Sequence, residues 1–362
     1  MIKKETEIAI IGGGIIGLLT ACLLAEHGRE VTIFDQSDLA RESSWAGGGI
    51  LTPLYPWRYP DPVNQLAFRS QLIYPGLIQE LCKHTGIDPQ YIEGGMLINK
   101  ADIDEVGYQW LDKHHIDYVD GGEVSTNNLS LRNTDFLYLP KIAQVRNPRF
   151  AQALEKRVQQ LGVMVNSQCQ VNKLVYENSH FRLNTNKGNL TAEQLVISAG
   201  AWSAKLLKDL GINLPVKPVR GQMLLYKAEP NFLSSIILSE GHYIIPRQDG
   251  RILVGSTMED VGFDKETTIE AKEMLKAFVA KTLPELQRHP IEKHWAGLRP
   301  SSPEGIPFIM KYPDFNNLFI NTGHFRNGVV MAPASAELLV DLMLGNKPKI
   351  DDIPFRSGIA NC

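Results

Sequence analysis

The chain has 362 residues, 43% of them hydrophobic, with a formal net charge of −3. That is enough chain for roughly two domains of about 100–200 residues each. The near-neutral balance excludes a polyanion-binding surface, so no nucleic-acid partner is expected. The start at Met1 resembles a secretory leader only superficially, because Glu5 and Glu7 interrupt it and Gly12, Gly13 and Gly14 break the apolar run that follows. With no stretch of about 20 apolar residues elsewhere, no membrane span is expected and the location is read as cytoplasmic. Cys22, Cys82, Cys169 and Cys362 are scattered without a C-x-x-C pair. That spacing implies neither a disulfide framework nor a metal site.

Residues 7–11 predict a short buried strand, followed at once by Gly12-Gly13-Gly14-Ile15-Ile16-Gly17. A helix over 18–27 comes next, closed by Gly28, and a second strand over 30–34 ends at Asp35. Strand, glycine turn, helix, strand and acid in that order read as a dinucleotide cradle. Gly12 allows the tight turn, Gly14 lets backbone approach a pyrophosphate, and Gly17 lets the helix lie close to the strand. The helix N-terminus offers free N–H groups to the phosphates. Asp35 sits where a carboxylate accepts from an adenosine ribose, which disfavours a 2′-phosphate. Residues 41–50, rich in glycine and hydroxyls, suit a long cofactor running past Ser43 and Ser44; the alternative is a surface loop.

Further along, a helix over 63–85, a strand over 91–99 around Gly94-Gly95 and a helix over 149–161 are expected. Strands over 163–166, 171–176, 181–185 and 194–197 follow, the last running into Ser198-Ala199-Gly200 and a helix through Leu210. From Val216 the texture becomes that of antiparallel sheet. Strands over 219–226 and 291–297 flank a hairpin of 242–246 and 251–255 around Asp249-Gly250 and a helix over 269–281. Near the end, a strand over 318–321 meets a glycine loop and an apolar helix to about Met343. A second strand–loop–helix element suits FAD, one element holding the pyrophosphate and the other the isoalloxazine. The expected fold class is α/β with an α+β second part. A Rossmann-like FAD-binding domain is formed by residues 1–88, 145–214 and 298–362, and a discontinuous, mostly antiparallel substrate domain by 89–144 and 215–297.

With these residues in view, the chain resembles the D-amino-acid-oxidase superfamily of FAD-dependent oxidoreductases, and within it the bacterial glycine oxidases of thiazole biosynthesis. The blocks that carry the resemblance are residues 10–17, 43–50, 94–96, 216–221, 243–247, 254–258, 295–300 and 323–328, with W-A-G-L-R-P and G-H-F-R-N-G the most specific. The resemblance implies that Arg299 pairs with the substrate carboxylate, with Arg326 beside it, Tyr243 closing over the substrate, and Met258 and Ile50 lining the pocket. It implies FAD contacts from Ile15, Ile16, Asp35, Gln36, Ser43, Ser44, Gly48, Gly49, Ile50, Val171, Gly200, Arg299, His324, Phe325, Arg326, Asn327, Gly328, Val329 and Val330. Two positions depart from the pattern: a relative has a histidine in place of Gly241 and a methionine in place of Ile50. The related sarcosine oxidases attach flavin to a late cysteine, and none lies between Cys169 and Cys362, so FAD is expected to be non-covalent.

The implied reaction is oxidation of a small amino acid by hydride transfer from its α-carbon to the flavin, with molecular oxygen as acceptor, giving peroxide and an imine. The resemblance also implies a homo-oligomer, up to a tetramer, and a hand-off of the imine to a thiazole synthase. The alternatives are a D-amino-acid dehydrogenase with another electron acceptor and a catalytically idle flavin-binding protein, the latter disfavoured by Arg299, Tyr243 and Arg326. His324 reads as shaping its loop, His84 and His294 as structural or surface residues, and Trp202 and Trp295 as core.

Overall fold

The computed structural model describes residues 5–121 and 135–356. Two eight-stranded sheets organise them. At the centre of the first, β1 (Glu5–Ile11) pairs in parallel with β2 (Val31–Phe34) and with β9 (Gly188–Ile197). Outside β2 lies β6 (Met164–Asn166); outside β9 lie β16 (Leu318–Thr322) and an antiparallel edge strand, β15 (Phe308–Lys311). A meander of β7 (Val171–Glu177) and β8 (His180–Thr185) joins β9 by its N-terminal half. Residues 8–11 and β2 are buried without alternation, as parallel strands covered on both faces must be.

One of those faces is covered by helices. They are α1 (Ile15–Glu26), α3 (Asp61–Thr85), α5 (Asn147–Gln160) and α8 (Gly328–Leu344), which share a core with Ile8, Ile10 and Ile33. Arg69 of α3 forks onto Glu337 of α8 at 2.9 Å through two nitrogens. The opposite face packs β7, β8 and the short helix α6 (Ser203–Leu207) around Phe181, Leu183 and Ile197.

The second sheet is built on a long antiparallel pair, β10 (Lys217–Lys227) and β14 (Ile291–Ser301), in register Gly221 to Gly297 and Val219 to Arg299. From β10 it continues through β13 (Arg251–Gly255), β12 (His242–Pro246) and β11 (Ile236–Ser239). It ends with β3 (Met96–Asn99), β5 (Phe136–Leu139) and β4 (Val119–Asp120). Alternation sorts its side chains by face. Ile244, Leu224 and Val254 pack on helix α7 (Ile269–Thr282), whereas Tyr243, Ile245 and Met223 turn to the other side, toward Ile50 and Leu54. Helix α4 (Glu105–Lys113) closes that side with Leu111.

The structure departs from expectation at several points. The strand over 91–99 shortens to β3, because Gly95 turns at φ +70 against the Tyr138 ring. The helix expected through Leu210 breaks into α6 flanked by 3-10 turns and stops at left-handed Gly211. Strand β14 runs on through Pro300, which pairs with Pro218, so the residues 298–301 expected in the nucleotide-binding part extend the second sheet. An edge strand tolerates that proline because its outer side needs no partner. Trp202 and Trp295 are half-buried, packed edge or tilted against Phe263 and Trp45, and not in the core. Cys362 lies outside the described residues, and Cys22, Cys82 and Cys169 are free thiols. Among the described residues no helix is long and apolar enough to cross a membrane.

Helix α3 offers an internal control of this packing, since Leu66 is 0% and Leu72 77% exposed. Leu66→Ala should lower the unfolding free energy by about 2–5 kcal/mol. Leu72→Ala should stay within about 0.5 kcal/mol of the parent. Urea unfolding of both variants checks this, and equal costs would contradict the packing described.

Candidate active site

A cavity of 620 Å³ runs from the turn after β1 to the ends of β10, β12, β13 and β14. At its first end the glycine turn is dictated by space. Gly12 has φ +109, and a Cβ there would lie 2.3 Å from the Ser198 carbonyl at the end of β9; one on Gly17 would lie 1.9 Å from the Gly12 carbonyl. Only glycine lets α1 begin this close to the sheet. Gly17 thus packs beneath the cavity, while Gly12, Gly14, Ile15 and Ile16 line it. Asp35 ties the turn together: one oxygen accepts from the Gly13 N–H at 2.8 Å, the other from the Ser37 N–H at 2.9 Å and the Ser37 hydroxyl at 3.0 Å. Burial raises its pKa, and these hydrogen bonds oppose the rise. Gln36 and Val171 line the same end.

The cavity's middle is formed by α2 (Ser43–Ala46) and the glycines after it. Ser44 accepts from the Ile15 N–H at 3.0 Å, so it fastens this segment to the start of α1. Buried Arg247 holds the next stretch, donating to the carbonyls of Gly48 at 2.7 Å and Val145 at 3.1 Å and to Gln144 at 2.7 Å. Opposite them stand Gly200 and the loop from His324 to Val330, which leads into α8. No N-cap side chain covers the start of α8, and at α1 only the Ser44 hydroxyl takes the first N–H. Two helix N-termini with their positive dipole ends therefore open on one cavity. His324 is 2% exposed and bonds Ser335 at 3.1 Å; burial pushes its imidazole down to about 3, so it is neutral.

The far end is cationic. Arg299, on β14, donates to the carbonyls of Thr257 at 3.1 Å and Arg220 at 3.4 Å and to the Ser256 hydroxyl at 2.6 Å. All three acceptors are neutral. Its fork lies flat over Gly221, where a Cβ would meet guanidinium atoms at 2.1–2.3 Å. Burial lowers its pKa and Tyr243, beside it, opposes the fall. A guanidinium starts high enough to stay charged regardless. The Tyr243 hydroxyl also makes a long 3.8 Å contact to the Met223 sulfur. Arg326 donates to the Gly241 carbonyl at 3.2 Å and reaches the Met258 sulfur at 3.9 Å. Among the described residues no carboxylate pairs with Arg299 or Arg326.

The structure thus brings the expected residues to one cavity, with two exceptions: Gly17, and Met258, which is 59% exposed beside Arg326 and does not line it. Met258 belongs to residues 257–268, a strap held by ion pairs, none of which lines the cavity. Arg220, 4% exposed, grips Glu259 and Asp264 at 2.6 Å each; Lys265 reaches Glu42 at 2.9 Å. The reading of the sequence missed Ser256, Met223, Gly221 and Arg247. Glycine inside a strand signals close approach of another group, and could have marked Gly221.

The residues present fit a dinucleotide with a ring system. A glycine cradle, an acid beside it, helix N-termini at both loops, and Lys205 and Lys208 on the wall offer donors and positive charge along the cavity's length. Comparison with known proteins agrees. The chain belongs to the FAD dependent oxidoreductase family, whose model matches residues 7–342. Within that family it is 44% identical to the glycine oxidase of Pseudomonas aeruginosa, the match spanning 96% of this chain and 98% of that protein. It is also 32% identical to the bifunctional protein ThiO/ThiG of Trichormus variabilis, over 94% of this chain and 53% of the relative. The crystal structure of glycine oxidase from Geobacillus kaustophilus superposes with a TM-score of 0.93 at 27% identity, covering 99% of this chain and 100% of that one. The cofactor is therefore FAD, and the protein is an FAD-dependent oxidoreductase of the amino-acid oxidase type.

His324 gives the site a pH signature. Its folded pKa lies below the ~6.5 of a free imidazole. Between the two values the unfolded chain binds a proton that the folded chain refuses, so stability rises with pH. This contribution is complete above about pH 6.5 and is lost at about 1.4 kcal/mol per unit below it. Burial also lowers His114, His242 and His294, which act in the same direction. His324→Gln should therefore flatten the fall in unfolding free energy between about pH 6.5 and 4.5, measured by urea titration at constant free FAD. An unchanged slope would show that His324 is not buried neutral.

Proposed function

We propose that the protein oxidises the C–N bond of glycine and of small related amines, sarcosine and small D-amino acids. The observation that carries this reading is the Arg299 guanidinium, which faces a cofactor cavity with neutral acceptors only. A planar fork in that state matches the two oxygens of a carboxylate. Tyr243, whose hydroxyl lies beside Arg299 and makes a long contact to the Met223 sulfur, supplies a further donor, and Arg326 adds charge from the C-terminal loop. Ile50, Leu54 and Met223 form apolar walls beside these polar groups. Held by its carboxylate, the substrate has its α-carbon fixed in position, and positioning of this kind lowers a barrier substantially.

Bound FAD supplies the oxidising power, accepting the electron pair lost from the C–N unit. The chain's contribution to proton transfer is indirect. The acids lining the cavity are engaged elsewhere: Asp35 by Gly13 and Ser37, Glu42 by Lys265, and Asp209 by the Leu174 N–H. The substrate amine therefore enters as its neutral form. Oxygen as the acceptor, with peroxide and an imine that yields glyoxylate, completes the proposal. Passage of the imine to a thiazole synthase is supported by the relative named ThiO/ThiG, which is about twice as long as the matched region. A cytoplasmic homo-oligomer belongs to the same reading, and exposed Leu72 and Ile269 give it apolar surface to bury.

The test is anaerobic addition of glycine, sarcosine or D-alanine to the yellow holoprotein, followed by a peroxide assay in air. Bleaching and peroxide are expected. Bleaching without peroxide would point to a dehydrogenase, and no bleaching would remove the assigned substrates. Arg299→Ala should keep its FAD yet lose about 3 kcal/mol in kcat/KM for glycine, roughly a hundredfold. Turnover at the parent's rate would remove Arg299 from the site.

A further inference from the structure

Strand β13 ends at Gly255, which lies across from Met223 on one neighbour and Tyr243 on the other. Ser256 is the next residue out. It is buried, yet it lines the cavity. Its oxygen takes the shortest of the three hydrogen bonds made by Arg299, 2.6 Å against 3.1 and 3.4 Å. A serine hydroxyl has one proton and two lone pairs. Arg299 uses a lone pair, and among the described residues no acceptor takes the proton. The neighbouring hydroxyl behaves differently: Thr257 accepts from the Gln222 N–H at 2.8 Å and donates to Glu259, so it anchors the strap. Of two adjacent hydroxyls, one is fully engaged by the protein and one keeps a donor at the cavity wall. A buried donor without an acceptor is costly, and a bond from a guanidinium makes the hydroxyl a stronger donor.

We propose that Ser256 is a second recognition residue for the substrate carboxylate, holding Arg299 through its oxygen and donating its own proton to the carboxylate docked on that arginine. The inference rests on the amino-acid oxidase reading and extends it. A carboxylate offers about four lone-pair sites, enough for the arginine fork, Tyr243 and Ser256 together. Ser256 thereby selects for acids over amines that lack a carboxylate, and its effect falls on binding more than on turnover.

The experiment compares holoprotein and its Ser256→Ala variant with acetate, a carboxylate without an oxidisable C–N bond, followed through the flavin's visible spectrum. Acetate Kd and glycine KM are each expected to rise roughly tenfold, with FAD content and the ligand-free spectrum as in the parent. Ser256→Thr, which keeps the hydroxyl, should recover most of the loss. In an Arg299→Ala background, adding Ser256→Ala should lower glycine kcat/KM by a further factor of about five. Unchanged acetate affinity in Ser256→Ala would overturn the proposal, as would no added loss in the double variant, which would reduce Ser256 to a prop for Arg299. A parent that binds neither acetate nor glycine would instead remove the amino-acid oxidase reading and Ser256's role with it.

Discussion

The site depends on a positive charge kept without a counter-ion. Arg220 and Arg299 lie on adjacent strands of one antiparallel pair, close enough that Arg299 donates to the Arg220 carbonyl. Their fates are opposite. Arg220 is neutralised by Glu259 and Asp264 and serves as a fastening for the strap. Arg299 is given two carbonyls and a hydroxyl, groups that orient a guanidinium without cancelling its charge. A half-buried, unpaired cation destabilises the free protein. The same feature makes a carboxylate ligand bind well, because the ligand completes an ion pair that the fold leaves open.

Placing that arginine requires removing side chains around it. Gly221 opposite β14 leaves room for the guanidinium, and Gly297, across the pair from it, would bring a Cβ within 2.6 Å of Ala46. The second sheet can thus approach α2, the segment that Ser44 ties to α1. The two ends of the cavity are coupled through this short chain of contacts: the cradle fixes α2, α2 sits against β14, and β14 carries Arg299. Such coupling lets one rigid frame hold cofactor and substrate in a fixed mutual geometry, as oxidation at a single carbon demands.

Much of this was legible in the sequence where the signal is local. The cradle was readable because Gly12, Gly14, Gly17 and Asp35 stand at set spacings between two strands, and the β12–β13 hairpin because Asp249-Gly250 is a turn with its own chemistry. Less was legible where partners are distant in the chain. Strand β11 pairs in parallel with β3, about 140 residues away, and neither short segment announces that partnership. Ser256 reads as an ordinary hydroxyl until the fold sets it on Arg299. Met258 looked like a pocket residue from its block of sequence, but it stands exposed on the strap that buried Arg220 fastens. Trp202 and Trp295 are large and apolar, which suggests burial, yet the cavity claims space beside Trp202 and Trp295 needs its N–H near the Ala46 carbonyl.

The charge pattern also explains why the substrate end contains no base. A carboxylate near Arg299 could accept a proton from the amine, but it would first pair with the guanidinium and cancel the charge proposed to hold the substrate carboxylate. The structure resolves this conflict by assigning the cavity's acids to other duties: Asp35 to the cradle, Glu42 to the strap through Lys265 and Asp209 to the β7 backbone. Positive groups also stand along the cavity, from the helix ends and lysines to the two arginines. That arrangement suits a cofactor with two phosphates and a substrate with one carboxylate.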